Sequence, residues 1–356
     1  MSFDSVSHPA PGARKAVRWA IAGAVLAAVC AALYVVYWFT MALQLRSGIA
    51  EWAAARRAEG VAVAYQGPEL SGFPFRVRAR LENPAMKADA VPAPWRWQGT
   101  RAYVELRPWN FSRLTVRLPG RHEFRMTHDG RETAVDATAK AFAADLDFAS
   151  GRAVAAEVTG EGIVATGNRE FAGALIERLA ATVKMPVLRA ADHQTATVAF
   201  DLAVERARLP DRVEAALGRD VARLAVAGQV LGAVPKGPPK AALAAWRDAG
   251  GTVKIDRAAT DYGPLAMKGD GTLALDKAMQ PIGAFTANIE GLFETIDRLR
   301  EKGLIRGRDS VTAKVILGAF MRKDGGRHAL NVAVTVQDRK VFVGPVALMS
   351  LPEIQW

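Results

Sequence analysis

The chain has 356 residues, half of them hydrophobic, and a formal net charge of +11. That length is enough for one large domain or two ordinary ones beyond an N-terminal segment. The single cysteine, Cys30, lies in an apolar run, which excludes an intrachain disulfide and a cysteine-based metal site. The sequence lacks the long run of basic residues that is typical of a nucleic-acid-binding tail, so we expect no nucleic-acid partner.

The segment from Trp19 to Phe39 contains no charged residue. About 21 residues at a rise of about 1.5 Å each cross a hydrocarbon core of about 30 Å. Trp19 lies at one end, and three aromatic residues lie toward the other end, as expected at two membrane interfaces: Tyr34, Tyr37 and Trp38. We predict a transmembrane helix over residues 19–43.

Three basic residues precede this segment and one follows it closely: Arg14, Lys15 and Arg18, then Arg46. The positive-inside rule places residues 1–18 in the cytoplasm and the body in the periplasm, as a single-pass protein of a bacterial inner membrane. The alternatives are a cleaved signal peptide and a buried soluble helix. The apolar run is longer than a signal peptide needs, and Thr40-Met41-Ala42 is a poor cleavage site.

Residues 44–60 are predicted to continue as a juxtamembrane helix. Leu45, Ile49, Trp52 and Ala53 fall on one face at helical spacing, and Gly60 is a plausible end. We expect this helix to pack on the body.

From Phe73 to Leu81 apolar residues occupy the odd positions, and arginines fill the even positions after Pro74, which predicts a half-buried strand. Its apolar positions are predicted to line an open groove for a lipid chain: Phe73, Phe75, Val77 and Leu81. Its other face carries Arg76, Arg78 and Arg80, and the polar sides of the next two strands carry Arg101, Arg107 and Arg117. Because guanidinium groups bind phosphate well, these arginines are predicted to bind lipid headgroups; the alternative is an ordinary solvated sheet face.

Short alternating runs separated by Pro and Gly continue along the chain and predict an antiparallel meander. Residues 135–164 alternate around a turn at 147–151. Residues 169–182 and 210–218 are predicted to be helices, and residues 196–204 form the clearest strand, with Phe200 expected in a dry core. Residues 222–234 alternate again.

Residues 235–239 have the composition of a linker, and they divide the body into two predicted β-rich halves, 61–234 and 240–356. In the second half we expect helices over 240–248 and 291–305, and a further helix capped by Asp309 or Ser310. Strands are expected over 252–258, 265–275, 285–289, 328–337 and 340–348. The predicted fold class is α+β and β-rich, with extended antiparallel sheets and a few packing helices.

Several short motifs occur in a particular order: Ser71-Gly72-Phe73-Pro74-Phe75-Arg76, Trp246-Arg247-Asp248-Ala249-Gly250-Gly251, Tyr262-Gly263-Pro264-Leu265, Gly269-Asp270-Gly271-Thr272-Leu273 and Val343-Gly344-Pro345. Together, from about residue 20 onward, they resemble a proteobacterial family known as domain of unknown function 2125. The resemblance implies a membrane-anchored envelope protein and carries no assigned chemistry. The layout also resembles AsmA-like envelope proteins, in which an anchor precedes long periplasmic sheets associated with lipid movement.

The sequence contains no motif typical of an enzyme. It has five histidines without helical metal-site spacing, no HExxH, no Gly-x-Ser-x-Gly and no phosphate-binding loop. We therefore predict no catalytic residue, metal or cofactor. We expect a non-enzymatic envelope protein that binds phospholipid, lipopolysaccharide or another amphiphile along a sheet groove. The alternatives are a scaffold that binds an envelope protein through its sheet, and a hydrolase without a recognisable motif.

Overall fold

The computed structural model describes residues 11–89, 94–128, 131–166, 171–186, 192–213, 215–235, 237–304, 321–324 and 327–354. Three helices are described: α1 (Pro11–Ala58), α2 (Pro239–Asp248) and α3 (Leu292–Glu301). The strands of the first half are β1 (Val61–Ser71), β2 (Val77–Ala88), β3 (Trp95–Gly99), β4 (Arg101–Arg107), β5 (Asn110–Arg117), β6 (Gly120–His128), β7 (Arg131–Ala139), β8 (Ala141–Ala149) and β9 (Arg152–Thr166). Then follow β10 (Leu175–Lys184), β11 (Ala196–Arg208), β12 (Asp220–Leu231), β13 (Thr252–Tyr262), β14 (Leu265–Leu275), β15 (Pro281–Glu290), β16 (Met321–Asp324), β17 (Arg327–Gln337), β18 (Lys340–Val343) and β19 (Val346–Ser350).

One helix joins the apolar N-terminal segment to the body without interruption. At about 1.5 Å per residue, the 48 residues of α1 extend for about 70 Å, more than twice the thickness of a hydrocarbon core. Every residue from Arg18 to Leu33 is exposed. A buried stripe then begins at helical spacing: Trp38, Ala42, Leu45, Ile49 and Ala53. The helix is long and apolar enough to serve as a single-pass membrane anchor. Its second half packs on the body, as predicted.

All described strands belong to one large antiparallel sheet. Three pairs of consecutive strands each form one long strand that bends in the middle: β3 with β4, β5 with β6 and β7 with β8. Counted in this way, each strand between β1 and β15 pairs with the strands before and after it in the chain. This is the antiparallel, β-rich fold that the period-two pattern predicts. β12 and β13, which precede and follow the predicted linker at 235–239, pair directly with each other, so one sheet contains strands of both predicted halves.

The bends of the long strands lie next to one another. Asn83 in β2 adopts a φ of 48°, and its N–H donates to the carbonyl of Thr100, which separates β3 from β4. The N–H of Thr100 donates in turn to the carbonyl of Arg121 at the start of β6. The backbone N–H of Lys140, between β7 and β8, donates to the backbone carbonyl of Glu161. Neighbouring strands therefore stay hydrogen-bonded to one another at the bend, and the sheet remains continuous there.

Two separate hydrophobic clusters lie at the two ends of the sheet. The first joins the buried stripe of α1 to residues of β2 and β4: Val77, Ala79, Leu81, Ala102, Val104 and Leu106. The second joins Leu292 and Ile296 of α3 to residues of β15, β17 and β18: Ala287, Ile289, Leu330, Val332 and Val343. Each cluster is a helix packed on a sheet face, which removes apolar surface from water.

Several predicted elements differ from the structure. The helix predicted over 169–182 is wrong: Leu175–Lys184 is strand β10, because its backbone pairs with β9 on one side and β11 on the other. Residues 210–213 and 215–218 form turns instead of a helix. The last predicted strand is divided at Gly344 into β18 and β19. The helix expected after Asp309 lies outside the described residues.

The remaining predictions agree with the structure more closely. The helix expected over 240–248 is α2, and the one expected over 291–305 is α3, which ends at Glu301. The strands expected at 252–258 and 265–275 are β13 and β14, and the short strand expected at 285–289 extends over the whole of β15. Trp52 is exposed on α1, in contrast to the predicted packed face.

Candidate functional site: the apolar face of the sheet

The middle of the sheet presents an apolar face that no described helix covers. The cross-strand register places apolar side chains of β8 to β12 on one surface: Phe142, Ala144, Leu146, Ala156, Val158, Leu179, Ala181, Val183, Phe200, Leu202, Val204, Leu224, Val226 and Val230. They are half-buried, apart from Leu224, which is 45% exposed. None of them belongs to the clusters formed with α1 and α3. We call this surface, between the two helices, the central apolar face.

The dimensions of this face suit an extended apolar ligand. Strands in a sheet lie about 4.8 Å apart, so the five strands from β8 to β12 span roughly 20–25 Å. A continuous, partly exposed apolar surface across several strands is uncommon in a monomeric soluble protein and is typical of an interaction site.

Three phenylalanines lie opposite glycines on this side of the sheet. Phe142 pairs with Gly160, Phe200 with Gly228, and Phe285 with Gly271. At Gly228 an added Cβ would lie 3.0 Å from the ring of Phe200 and 2.3 Å from the carbonyl oxygen of Lys254. Each phenylalanine ring therefore occupies the space that a side chain at the opposite glycine would fill.

The opposite side of the same strands carries charged residues in cross-strand ion pairs. Arg113 binds Asp147 through two hydrogen bonds of 2.7 and 2.9 Å. Arg257 reaches Asp201 at 3.0 Å, across the intervening strand β12. The sheet is thus a single layer with one solvated charged face and one apolar face.

The predicted headgroup arginines lie on the charged side, and most are already paired. Glu105 is buried and accepts from Arg78 at 2.6 Å, with Arg117 at 3.8 Å and Arg76 at 4.0 Å. Glu82 pairs with both Arg80 and Arg101. Among the described residues Arg107 has no ion-pair partner, and it is exposed.

These pairs change the expected role of the basic face. Strand alternation places the paired arginines on the side of the sheet opposite the apolar face, so one ligand cannot contact both sides in the middle of the strands. Whether any of them binds a headgroup stays a prediction.

The predicted groove residues are divided between two environments. Val77 and Leu81 are buried beneath α1, so they do not line an open groove; the sequence does not reveal that the N-terminal helix packs on this strand. Phe73 and Phe75 lie in the turn between β1 and β2 and are exposed. Phe200, expected in a dry core, lies instead on the central apolar face.

Ion pairing lowers the pKa of two carboxyl groups on the charged face. The hydrogen bond from Arg101, and then that from Arg80, lowers the pKa of Glu82 below its ordinary value of 4.5. The hydrogen bond from Arg113 lowers the pKa of Asp147. Both carboxylates are held in the charged form.

The described residues contain no group of three or more His, Cys, Asp or Glu side chains arranged to hold a metal ion. His122 stacks on Trp97 with ring centroids 5.9 Å apart, and its Nε2 lies 3.0 Å from the carbonyl of Leu118. Its surroundings are therefore a strand pair and an aromatic ring. His8, His128 and His328 fall outside the described side chains.

The sequence contains one usable signal for the apolar face. Phe142, Phe200 and Phe285 each lie at an apolar position of an alternating run, but the register that places each of them opposite a glycine cannot be read along the chain.

A protein-family model matches residues 38–352, and its description is "Uncharacterized protein conserved in bacteria (DUF2125)". No curated protein and no solved structure gives a significant match to the chain.

Proposed function

Since the chain belongs to the DUF2125 family of bacterial proteins, with an N-terminal apolar helix and a β-rich body, we propose that it binds lipid in the cell envelope. In this proposal the protein is not an enzyme. It is anchored in the inner membrane by α1, with residues 1–18 in the cytoplasm and the body in the periplasm, and it binds the apolar part of a phospholipid, lipopolysaccharide or similar amphiphile.

The observation that carries the proposal is the central apolar face, which lies between two helix-covered ends. A soluble domain normally buries such a face under a second layer, because exposed apolar surface costs about 25 cal/mol per Å². Here the described residues supply that layer only at the ends of the sheet. An acyl chain would complete the missing layer in the middle.

The charge distribution supports the proposed orientation. Arg14, Lys15 and Arg18 precede the uncharged segment, and Arg46 is the first charged residue after it. The layout of an anchor followed by a long sheet also resembles AsmA-like envelope proteins, which is an analogy of architecture.

Photo-crosslinking in native membranes tests this proposal. A benzophenone amino acid at position 200 projects from the apolar face, and the same group at the adjacent position 201 projects from the charged face. We expect a lipid adduct, identified by mass spectrometry of the purified full-length chain, at position 200 only. Position 201 is the matched control, because it shares the strand and differs only in face.

The other outcomes separate the alternatives. A protein adduct at position 200 would replace lipid binding with a scaffold that binds a partner through the sheet. Equal lipid labelling at both positions, or no adduct at position 200, would remove the support for a lipid site on this face.

A further inference from the structure

Two adjacent turns of the sheet expose four large aromatic side chains. Phe73 and Phe75 lie in the turn between β1 and β2, and Trp109 and Phe111 lie at the turn between β4 and β5. Their exposed fractions are between 52 and 72%. Large apolar side chains that are exposed together mark an interaction site, and Trp is enriched where a protein meets a membrane interface.

These two turns are bound directly to the apolar helix. The hydroxyl of Tyr34 donates to the carbonyl of Pro74, and the hydroxyl of Tyr37 donates to the carbonyl of Pro108. The indole N–H of Trp38 donates to the carbonyl of Arg76 over 2.9 Å. The height of both turns along α1 is therefore fixed by residues 34–38.

That height corresponds to the end of the uncharged segment. From Trp19 to Trp38 the helix rises by about 29 Å at about 1.5 Å per residue, close to the thickness of a hydrocarbon core of about 30 Å. If Trp19 lies at one interface, Trp38 lies at the other. The turns bound to residues 34–38 then lie at that same interface.

Charge at this end of the sheet suits the same position. Arg107 is exposed next to Trp109 and makes no ion pair within the described part of the chain. Arg76 is exposed beside Phe75, with only a 4.0 Å contact to Glu105. An arginine next to an interfacial aromatic residue can reach the phosphate groups of lipids while the ring remains in the interface.

We infer that the two turns, residues 72–76 and 107–111, insert into the membrane interface beside α1 and fix the sheet on the bilayer surface. The occupant of this aromatic surface is the lipid bilayer itself, because the surface is continuous with the apolar helix. The inference needs α1 to cross the membrane, but it does not need lipid on the central apolar face.

Site-directed spin labelling of the full-length chain tests the insertion. In a background with Cys30→Ser, a nitroxide is attached to Ser112→Cys, next to Phe111, and the protein is placed in nanodiscs of phosphatidylethanolamine and phosphatidylglycerol. Collisions with lipid-soluble oxygen and with a water-soluble nickel chelate are compared. We expect oxygen to dominate at position 112.

Two further labels calibrate the measurement. A label at Arg212→Cys lies in the turn between β11 and β12, at the opposite end of the strands, where nickel should dominate. A label at Leu26→Cys lies within the uncharged segment and should give the strongest protection from nickel. Equal nickel accessibility at positions 112 and 212 would overturn the inference.

A second pair of variants tests the aromatic side chains themselves. Phe75→Ser with Phe111→Ser should remove the excess of oxygen collisions at position 112. Val213→Ser, which replaces an exposed apolar residue in the distant turn, should leave it unchanged. If the double variant leaves the position-112 signal unaltered, the aromatic residues do not hold the turns in the membrane. Crosslinking at position 200 is independent of either result.

Discussion

The carboxylate of Glu105, which is 8% exposed, accepts a 2.6 Å hydrogen bond from Nε of Arg78 on the neighbouring strand. Arg76 and Arg117 lie within 4.0 Å of the same carboxylate. The three guanidinium groups stabilise this buried charge, and loss of the charge would leave three neighbouring cations without the anion that offsets their mutual repulsion.

Glu105→Gln is expected to lower the free energy of unfolding by about 1.5–3 kcal/mol, because a charged hydrogen bond in a buried position is lost. Glu69→Gln is the control, since Glu69 is largely exposed and lies 3.7 Å from Arg80. It should change stability by less than about 0.5 kcal/mol. Denaturant unfolding of the full-length protein in detergent measures both; equal effects would show that burial of Glu105 contributes nothing.

Aspartate substitutions should distinguish the covered and open parts of the apolar side. Val77→Asp places an unpaired carboxylate beneath α1 and should cost several kcal/mol, on the order of 3–5, enough to prevent stable folding. Phe200→Asp lies on the central apolar face, where a carboxylate can reach water, so its melting temperature should fall much less. Thermal unfolding compares the two, and an equal loss would mean that Phe200 is in a closed core.

The glycine opposite Phe200 gives a third test. Gly228→Ala should destabilise the protein by about 1–3 kcal/mol, because the new Cβ meets a backbone oxygen that moves only with the strand. Gly48→Ala is the same change in the exposed middle of α1, where nothing lies within 4 Å. It should stabilise by about 0.5–1 kcal/mol through helix propensity. Opposite signs in unfolding experiments are expected; a stabilised Gly228→Ala protein would contradict the packing.

The pH dependence of stability should show the ion pairs of Glu82. Its pKa is lower in the folded protein than its ordinary value of 4.5, so the unfolded chain binds more protons as the pH falls. The stabilisation is therefore complete above pH 4.5 and is lost as the pH falls through the lowered pKa of the folded state. The difference in unfolding free energy between wild type and Glu82→Gln should decline over that window.

Arg101→Gln provides the control for this dependence, because Arg101 supplies the largest cause of the lowered pKa. In that background, substituting Glu82 should produce a smaller pH-dependent difference. A pH profile that is identical in both backgrounds would show that Arg101 does not hold the carboxylate in its charged form.

The sequence by itself determined the apolar helix, the antiparallel strands and the family. An uncharged run and a period of two are local properties, because each residue adds its own transfer free energy and each strand alternates its own side chains. The same locality explains the error at Leu175–Lys184. Its leucines and alanines fit a helix in isolation, and only pairing with β9 and β11 makes it a strand.

The tertiary structure decided which apolar surfaces are covered. Val77 and Phe200 have the same alternating pattern in the sequence, but α1 folds onto the first and no described element covers the second. Likewise, the sequence shows Arg78 only as a basic strand residue, and the fold brings Glu105, 27 positions along the chain, opposite it. Packing and register join distant segments, so burial and pairing depend on contacts that no local pattern contains.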